Sequence, residues 1–294
     1  MINIKELEKV FNGRIDTFEK VNVGYSREVY KINNEFILKI VKNLKCENDS
    51  KKEVDFCSQH HFSFTPRIIS SDFSKTIIPY SYFVEENIPG VSLMGKWKEL
   101  KEDEKERIIE QLLNKLDILH KTEYDCQEDN LSEEFDGYLK AIIESKILTE
   151  DQIKYLRDLK EVIPYLIKGR QRCLIHGDFH FDNVLIDNNL DCKIIDFERV
   201  KKSYLEREYD PLNRMARNPN ALINNSMSIV EDKKDFATIM KYVFAHYPEI
   251  DSEEFSNLLL LFDCLNSMMW LPKFPDFELY NEILFNKSKK LTRI

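Results

Sequence analysis

The chain has 294 residues, of which 43% are hydrophobic and 32% charged, and its formal net charge at pH 7 is −9. This composition is ordinary for a folded globular protein and argues against intrinsic disorder. The negative charge opposes binding to a phosphate backbone, so we expect no nucleic-acid partner. It suits cationic small molecules better, although it is also typical of any soluble surface.

The six cysteines are scattered and form no C-x-x-C pair, which favours reduced cysteines used as small core residues. The N-terminal stretch MINIKELEKVF carries charges where a signal peptide has an apolar run. No segment reaches the length of about 18 uninterrupted apolar residues that would indicate a membrane span. We therefore expect a cytoplasmic monomer with no membrane partner.

The N-terminal part predicts a β-sheet. Residues 15–23 have the composition of a strand, and Glu28 to Ile32 and Glu35 to Val41 alternate like the arms of a hairpin. Asn33-Asn34 between these two arms can adopt positive φ in a tight turn.

A predicted helix over residues 46–60 follows the hairpin and ends before Pro66. Candidates for its N-cap are Asn48, Asp49 and Ser50. Two further strands are predicted over residues 67–71 and 77–85, and Pro89-Gly90 then interrupts the pattern.

After Gly90 the pattern changes to amphipathic helices, predicted over residues 102–121, 150–168, 228–247 and 252–271. Thr149 is the predicted N-cap of the second of these helices. We therefore expect two domains, residues 1–89 and residues 90–294, with a ligand site in the cleft between them.

The stretch CLIHGDFHFDNVLIDNNLDCKIIDFERV, Cys173 to Val200, concentrates histidine and acidic residues between short apolar runs. Asn183 follows Asp178 by five residues, and two short strands then predict a hairpin that ends in Asp196. Phosphoryl transfer needs a carboxylate that orients the attacking hydroxyl and oxygen ligands that hold Mg²⁺ near the phosphates. Asp178 fits the first role, and Asn183 and Asp196 fit the second.

Two other kinds of site fit the stretch less well. A zinc site formed by His176, Asp178, His180 and Asp182 has a spacing that matches no common zinc motif. A hydrolase is disfavoured because the chain has no G-x-S-x-G nucleophile motif. The roles of His180 and Asp182 stay open.

The motif HGDFHFDN, followed by IIDFE, resembles the catalytic core of the aminoglycoside phosphotransferase family, which is related to choline kinases and protein kinases. Gly177 stands where protein kinases have arginine, and Glu198 stands where they have glycine. The resemblance covers about residues 20 to 215. It implies an α+β, two-lobed, protein-kinase-like fold with a small β-rich N-terminal lobe and a larger, mostly helical C-terminal lobe.

The resemblance also implies a lysine on the third strand that binds phosphates and pairs with a helix glutamate. Lys39, inside the apolar strand FILKI, fits this lysine, since a buried lysine is costly unless it is paired. Glu53 is the expected partner, and Glu47 and Asp55 in the same segment are alternatives.

Two further nucleotide contacts follow from the resemblance. The loop NVGYSREVY would cover the phosphates, with Gly24 and Ser26 near them. The segment FVEENIPG resembles the hinge that joins the lobes, where the backbone of Glu86 to Ile88 would bind the purine.

The remaining residues implied by the resemblance lie around the catalytic loop and in the C-terminal helices. His176 and Asp210 would brace the catalytic loop, although Arg214 replaces the acidic residue that usually follows Asp210. The candidates for binding a cationic acceptor are acidic: Glu198, Glu206, Glu208, Asp235 and Asp263.

The predicted reaction moves the γ-phosphoryl group of ATP or GTP, with Mg²⁺, to a hydroxyl of a small acceptor. The family resemblance favours an aminoglycoside and hence antibiotic resistance. The alternatives are another acceptor, such as a macrolide, choline, homoserine or a sugar, and a catalytically silent nucleotide-binding protein.

Overall fold

The computed structural model describes residues 4–11, 15–21, 27–41, 43–217, 236–248 and 252–293. The chain divides into two compact units, and each unit is built from two stretches of sequence. The first comprises Met1–Lys115 and His176–Val200, and the second comprises Leu116–Ile175 and Lys201–Ile294. The stretch that carries the HGDFHFDN motif therefore belongs to the same unit as the N-terminal sheet. The domain boundary expected at residue 89 stays a prediction.

The first unit contains a five-stranded antiparallel sheet with the strand order β1-β2-β3-β5-β4. Its strands are β1 Phe18–Val21, β2 Arg27–Ile32, β3 Phe36–Val41, β4 Ile68–Asp72 and β5 Tyr82–Glu86. The predicted hairpin is confirmed, because β2 and β3 pair and Asn33 and Asn34 have φ values of 50° and 56°. Asparagine is one of the few residues that adopt such values readily.

The strand predicted over residues 77–85 is only partly right. β5 begins at Tyr82, and residues 77–81 lie outside the strand. Pro79 explains the difference, because proline has no N–H to donate to a neighbouring strand.

Helix α2 spans Leu44–Gln59 and begins earlier than predicted. Its N-cap is Asn43, whose side chain accepts a hydrogen bond from the N–H of Cys46 at 3.0 Å. The predicted caps Asn48, Asp49 and Ser50 are wrong, because all three lie inside the helix. Several residues of capping type occur in succession here, so composition alone did not identify the one that satisfies the first-turn N–H groups.

Helix α1, Ile4–Phe11, is not anticipated by the sequence pattern. It contributes Leu7 to a buried cluster on one face of the sheet. The other fully buried members of the cluster are Tyr30, Ile32, Leu38, Ile40, Ile78, Tyr82 and Val84. With only two turns, the helix owes its stability to this packing rather than to intrinsic propensity.

A second, three-stranded sheet in the first unit carries the motif. Its strands are β6 Val91–Ser92, β8 Val184–Ile186 and β9 Cys192–Ile194, in the order β6-β8-β9. The predicted hairpin of β8 and β9 is confirmed. Its turn is held by Asp187, whose Oδ1 accepts hydrogen bonds from the N–H groups of Asn189 and Asp191 at 2.8 and 2.9 Å. The short helix α3, Leu93–Lys96, follows β6.

The second unit is mainly helical, and strands β7 Arg172–Ile175 and β10 Lys201–Tyr204 form a two-stranded antiparallel sheet within it. Its helices are α5 Leu131–Ser145, α6 Glu150–Lys160, α7 Ile163–Leu166, α8 Leu205–Arg217, α9 Ile239–His246, α10 Ser252–Trp270 and α11 Glu278–Phe285. Helix α4, Glu102–His120, begins in the first unit and ends in the second. No helix of the described ranges is long and apolar enough to cross a membrane.

Two of the four predicted helices, α4 and α10, are confirmed to within about one residue. Thr149 is confirmed as the cap of α6, in a capping box with Gln152. The predicted continuation of α6 to residue 168 is wrong, because the helix ends at Lys160 and α7 restarts at Ile163. Pro164 fits the first turn of a new helix but not the interior of a continuous one.

The other helices were predicted incompletely. The first part of the helix expected over residues 228–247 lies outside the described residues, and α9 represents its end. Helices α5 and α11 were not predicted, although α5 buries Leu131, Phe135, Leu139 and Ile142 at helical spacing.

Candidate active site

Lys39 lies on β3 and is 93% buried, with a relative exposure of 7%. Its Nζ is 2.8 Å from Oε1 of Glu53 on α2 and 3.0 Å from Oε1 of Glu85 on β5. Burial lowers the pKa of Lys39, but the charges of Glu53 and Glu85 outweigh burial and hold this pKa above its usual value. The lysine is therefore a fixed cation, and the structure brings Glu53 to it, as expected.

Of the two alternatives to Glu53, Glu47 pairs with Lys51 at 2.9 Å and with Lys75 at 3.5 Å. Asp55 is exposed. Glu53 itself is 1% exposed and uses both carboxylate oxygens, since its Oε2 accepts a hydrogen bond from Arg27 at 2.6 Å.

Arg27, the first residue of β2, was not predicted as a site residue. Its Nη1 lies 3.2 Å from Oδ1 of Asp196, and its Nη2 lies 2.7 Å from Oε2 of Glu198. Its Nε donates to the hydroxyl of Ser50 at 2.9 Å. No motif pointed to this arginine. The carboxylates that it contacts, those of Glu53, Asp196 and Glu198, are brought together only by the fold.

Glu85 was also missed, because it reads as an ordinary residue of β5. It is 4% exposed, and its Oε2 has no hydrogen-bond partner among the described residues. Burial, together with the nearby charges of Glu53 and Asp196, raises the pKa of Glu85 to about 7. We refer to Arg27, Lys39, Glu53, Glu85, Asp196 and Glu198 together as the ion cluster.

The loop that contains Asp178 is held in place by His176, which is fully buried. Its Nε2 lies 2.9 Å from the carbonyl oxygen of Ile195, and the N–H of Asp178 donates to its Nδ1 at 3.3 Å. Since Nδ1 accepts, Nε2 carries the proton and donates to Ile195. The ring also packs edge-on against Phe197, with 4.6 Å between the ring centroids. These contacts tie the loop before Asp178 to the turn that contains Asp196.

Gly177 must be a glycine for two reasons. Its φ is 81°, and a Cβ at this position would overlap the backbone carbonyl oxygen of Arg199. This close approach explains why the arginine found here in protein kinases has no place in this loop.

Asp178 is about one-third exposed, and its carboxylate faces two potential cations at longer range. Nε of Arg199 is 3.7 Å from its Oδ2, and Nε2 of His180 is 4.0 Å from its Oδ1. The side-chain amide of Asn183 donates to the backbone carbonyl of Asp178 at 2.9 Å. The loop thus holds the Asp178 backbone while its carboxylate stays accessible.

Asn183 lies opposite Ile195 across the hairpin, because the N–H of Ile195 donates to the carbonyl oxygen of Asn183 at 2.9 Å, and Asp196 is the next residue along the chain. Oδ1 of Asn183 has no partner among the described residues. Asp196 is a non-glycine residue with φ 69° and ψ 60°, a strained conformation that presents a carboxylate 34% exposed. Such backbone strain often occurs where a side chain must point into a functional site.

These two residues fit a magnesium ion. Mg²⁺ prefers oxygen ligands and is usually held by one or two carboxylates together with substrate phosphates. The described residues contain no group of three or more His, Cys, Asp or Glu side chains that could hold a metal ion alone. One carboxylate and one amide oxygen from the same hairpin are too few ligands to hold the ion alone, and they fit a metal that binds together with a nucleotide.

The predicted hinge follows β5. The N–H groups of Glu86 and Asn87 donate to the carbonyl oxygens of Arg67 and Glu35 at 2.9 and 2.8 Å. The N–H of Ile88 makes no hydrogen bond to another described residue. Of these three N–H groups, that of Ile88 is the one without a partner among the described residues, and purine binding at the hinge stays a prediction. Gly24 and Ser26, the predicted phosphate-loop residues, lie outside the described residues.

The acidic candidates of the second unit are buried and paired with basic side chains. Glu206 Oε1 lies 3.2 Å from Arg170 Nη1, and Glu208 Oε2 lies 3.5 Å from His120 Nε2. Burial raises the pKa of Glu206.

Asp210 Oδ2 is 3.0 Å from Nε of Arg214, the residue that departs from the family pattern, so the bracing role of Asp210 stays a prediction. Asp263 pairs with Arg217, and burial raises the pKa of Asp263. Asp235 lies outside the described residues.

Among the other candidates, Glu198 is not at the surface but inside the ion cluster, bound to Arg27. His180 lies between Asp178 and Asn183, with its Nε2 3.3 Å from Nδ2 of Asn183. Asp182 accepts a hydrogen bond from the hydroxyl of Ser92 at 3.2 Å.

The chain has a kinase-like fold. Its features are the sheet with a paired lysine, the short hairpin of β8 and β9, and the mainly helical second unit. A family model described as "Phosphotransferase enzyme family" matches residues 17–205. The chain belongs to this family and is a phosphotransferase.

Solved structures agree with the fold. The ADP-bound aminoglycoside phosphotransferase APH(2'')-Ib has a TM-score of 0.70 and 17% identity, covering 99% of this chain and 97% of that chain. The gentamicin complex of APH(2'')-IIa has a TM-score of 0.69 and 15% identity, covering 100% and 97%. The GDP complex of wild-type aminoglycoside 2'-phosphotransferase-IIIa has a TM-score of 0.71 and 16% identity, covering 98% and 95%. At these identities the likeness concerns the fold.

Proposed function

We propose that the protein transfers the γ-phosphoryl group of ATP or GTP to a hydroxyl of a small, cationic acceptor, with aminoglycosides as the leading class. The observation that carries this proposal is the link within one unit from Asp178 through Asn183 to Asp196, next to the buried Lys39–Glu53 pair. The proposed acceptor class rests on family membership and on the titles of similar structures, which name gentamicin, streptomycin and kanamycin complexes.

In this proposal, each residue has a separate task. Asp178 accepts a hydrogen bond from the acceptor hydroxyl, orients it for in-line attack and takes its proton. Lys39, held by Glu53, places a fixed positive charge at the α- and β-phosphates. Asn183 and Asp196 would hold Mg²⁺, which when bound supplies positive charge at the β- and γ-phosphates.

The proposal is tested by measuring nucleotide turnover, with ATP and with GTP, across a panel of acceptors. The panel contains gentamicin, streptomycin and kanamycin, and for comparison a macrolide, choline, homoserine and a simple sugar. We expect turnover that depends on an aminoglycoside. Turnover with one of the comparison compounds alone would replace the acceptor class, and tight nucleotide binding without turnover would favour a silent nucleotide-binding protein.

The catalytic assignment is tested with Asp178→Asn. Because Asp178 acts on the attacking hydroxyl, the variant should lose about a hundredfold or more in kcat while keeping nucleotide affinity. Asp182→Asn, in the same loop but bound to Ser92, is the matched control and should keep its turnover. Equal activity of the two variants would contradict the role of Asp178.

A further inference from the structure

The guanidinium of Arg27 lies beside Asp196, the proposed metal ligand. It reaches Glu53, Asp196 and Glu198 at 2.6, 3.2 and 2.7 Å and is itself only 4% exposed. Its Cζ and the Nζ of Lys39 lie 5.3 and 5.2 Å from the centroid of the same Phe83 ring. The ion cluster is thus one packed network within the first unit, with its members on β2, β3, α2, β5 and the loop after β9.

The charges of this network do not balance. Arg27 and Lys39 contribute two positive charges, and the four carboxylates of the cluster contribute four negative charges when they are ionised. By side-chain exposure alone, Asp196 is the most exposed of the four acids, at 34%, against 1% for Glu53, 6% for Glu85 and 13% for Glu198. A cation in solution therefore reaches the ion cluster most easily at the carboxylate of Asp196.

Arg27 already uses one oxygen of that carboxylate. Nη1 of Arg27 lies beside Oδ1 of Asp196, whereas Oδ2 has no partner among the described residues. A divalent cation that binds Oδ2 is therefore repelled by a fixed positive charge only a few ångströms away. Phosphate oxygens of a nucleotide would offset this repulsion, because they add negative charge on the open side of the metal.

We propose that Arg27 is a positioning residue that acts as the resident counter-ion of Asp196, weakening its binding of a free divalent cation so that the cation binds well only together with a nucleotide. This inference rests on the proposed function in one respect, the assignment of Asp196 as a metal ligand. Arg27 also keeps the carboxylates of Glu53, Asp196 and Glu198 together when no cation is bound.

The experiment measures Mn²⁺ binding to the full chain without nucleotide, from the free Mn²⁺ signal in electron paramagnetic resonance. Arg27→Gln should bind Mn²⁺ about tenfold more tightly than the unmodified protein, since one positive charge near the ion is gone. The gain should disappear when Asp196→Asn is added. Arg199→Gln is the matched control, because it removes an equal charge that contacts Asp178 and Glu198 but not Asp196, and its Mn²⁺ affinity should change little.

Loss of Arg27 leaves three carboxylates close together, so a second variant guards against a failure of the single variant to fold. Arg27→Gln combined with Glu198→Gln removes one basic and one acidic group, so the carboxyl groups of the cluster still outnumber its basic groups by two. This double variant should also bind Mn²⁺ more tightly than the unmodified protein. Thermal unfolding of each variant without metal confirms that a folded protein is compared.

The outcomes separate this inference from the proposed function. If both Arg27 variants bind Mn²⁺ no more tightly than the unmodified protein, while Asp196→Asn weakens binding, the role of Arg27 is refuted and the metal site stands. If Asp196→Asn leaves Mn²⁺ binding unchanged in every background, the metal assignment in the proposed function fails, and the inference about Arg27 fails with it. Failure to find an acceptor would leave the Mn²⁺ result interpretable.

Discussion

Substituting Glu85 by glutamine tests whether the ion cluster carries more negative charge than it can accommodate. Glu85 is buried beside Lys39, and its pKa is raised from 4.5 to about 7 by burial and by the neighbouring carboxylates. A carboxyl group with a raised pKa binds its proton more tightly in the folded than in the unfolded state. Its contribution to stability is therefore complete below pH 4.5 and is lost as the pH rises through about 7.

The size of the effect follows from the two pKa values. Each pKa unit corresponds to about 1.4 kcal/mol. The difference between the pKa of Glu85 in the folded and in the unfolded protein therefore changes the free energy of unfolding by roughly 3 kcal/mol. Glutamine resembles the protonated acid at every pH and keeps a hydrogen-bonding group at the same place. Between pH 4.5 and pH 8, the free energy of unfolding of Glu85→Gln should therefore rise by about 3 kcal/mol relative to that of the unmodified protein.

The assay is urea unfolding of both proteins at a series of pH values across this range. The contributions of all other titrating groups cancel when the two free energies of unfolding are subtracted. Glu86→Gln is a suitable control, since Glu86 is a partly exposed neighbour on the same strand that pairs with Arg67. A constant difference between Glu85→Gln and the unmodified protein would refute the raised pKa. A difference that shrinks with rising pH would show that Lys39 holds Glu85 ionised.

Three other predictions concern single sites. Gly177→Ala should destabilise the fold by about 3 kcal/mol and impair turnover, because its Cβ would overlap a backbone carbonyl at positive φ. Gly137→Ala, on an exposed face of α5 with open space around the new Cβ, should instead stabilise it by roughly 0.5–1 kcal/mol, and thermal melts compare the two. Arg207→Met should cost about 3 kcal/mol at neutral pH, because it leaves the carboxylates of Asp129 and Glu134 without this partner. Arg207 helps to hold the pKa of both acids below its usual value despite burial, so the cost should shrink as the pH falls toward the ordinary carboxyl pKa. A cost independent of pH in chemical unfolding would contradict this reasoning.

The local patterns that could be predicted are those decided by neighbours in sequence. The turn at Asn33-Asn34 and the capping box at Thr149 depend on short-range chemistry, and both are present. The spacing from Asp178 to Asn183 likewise places the two residues at either end of one loop, where an amide-to-carbonyl bond joins them.

The features that could not be predicted depend on partners far apart in the chain. Arg27 and Asp196 are separated by 169 residues, and the residues next to them in the sequence do not indicate that they form an ion pair. In the sequence Glu85 resembles any polar residue of a strand, and only the pairing of β5 with β3 places Lys39 beside it. The cap at Asn43 was missed because three equally suitable residues follow within one turn of the predicted start.

The burial of the acidic candidates in the second unit bears on how an acceptor is recognised. Glu206, Glu208 and Asp263 are 3%, 0% and 1% exposed, and Glu206 and Asp263 are paired with Arg170 and Arg217. A cationic acceptor would have to displace an arginine and reach a buried carboxylate, which costs more than a solvent-exposed pair returns. In the described state these acids therefore interact with side chains of their own unit. The accessible carboxylates near the proposed chemistry are those of Asp178 and Asp196, and Asp178 is the one that an acceptor hydroxyl must approach.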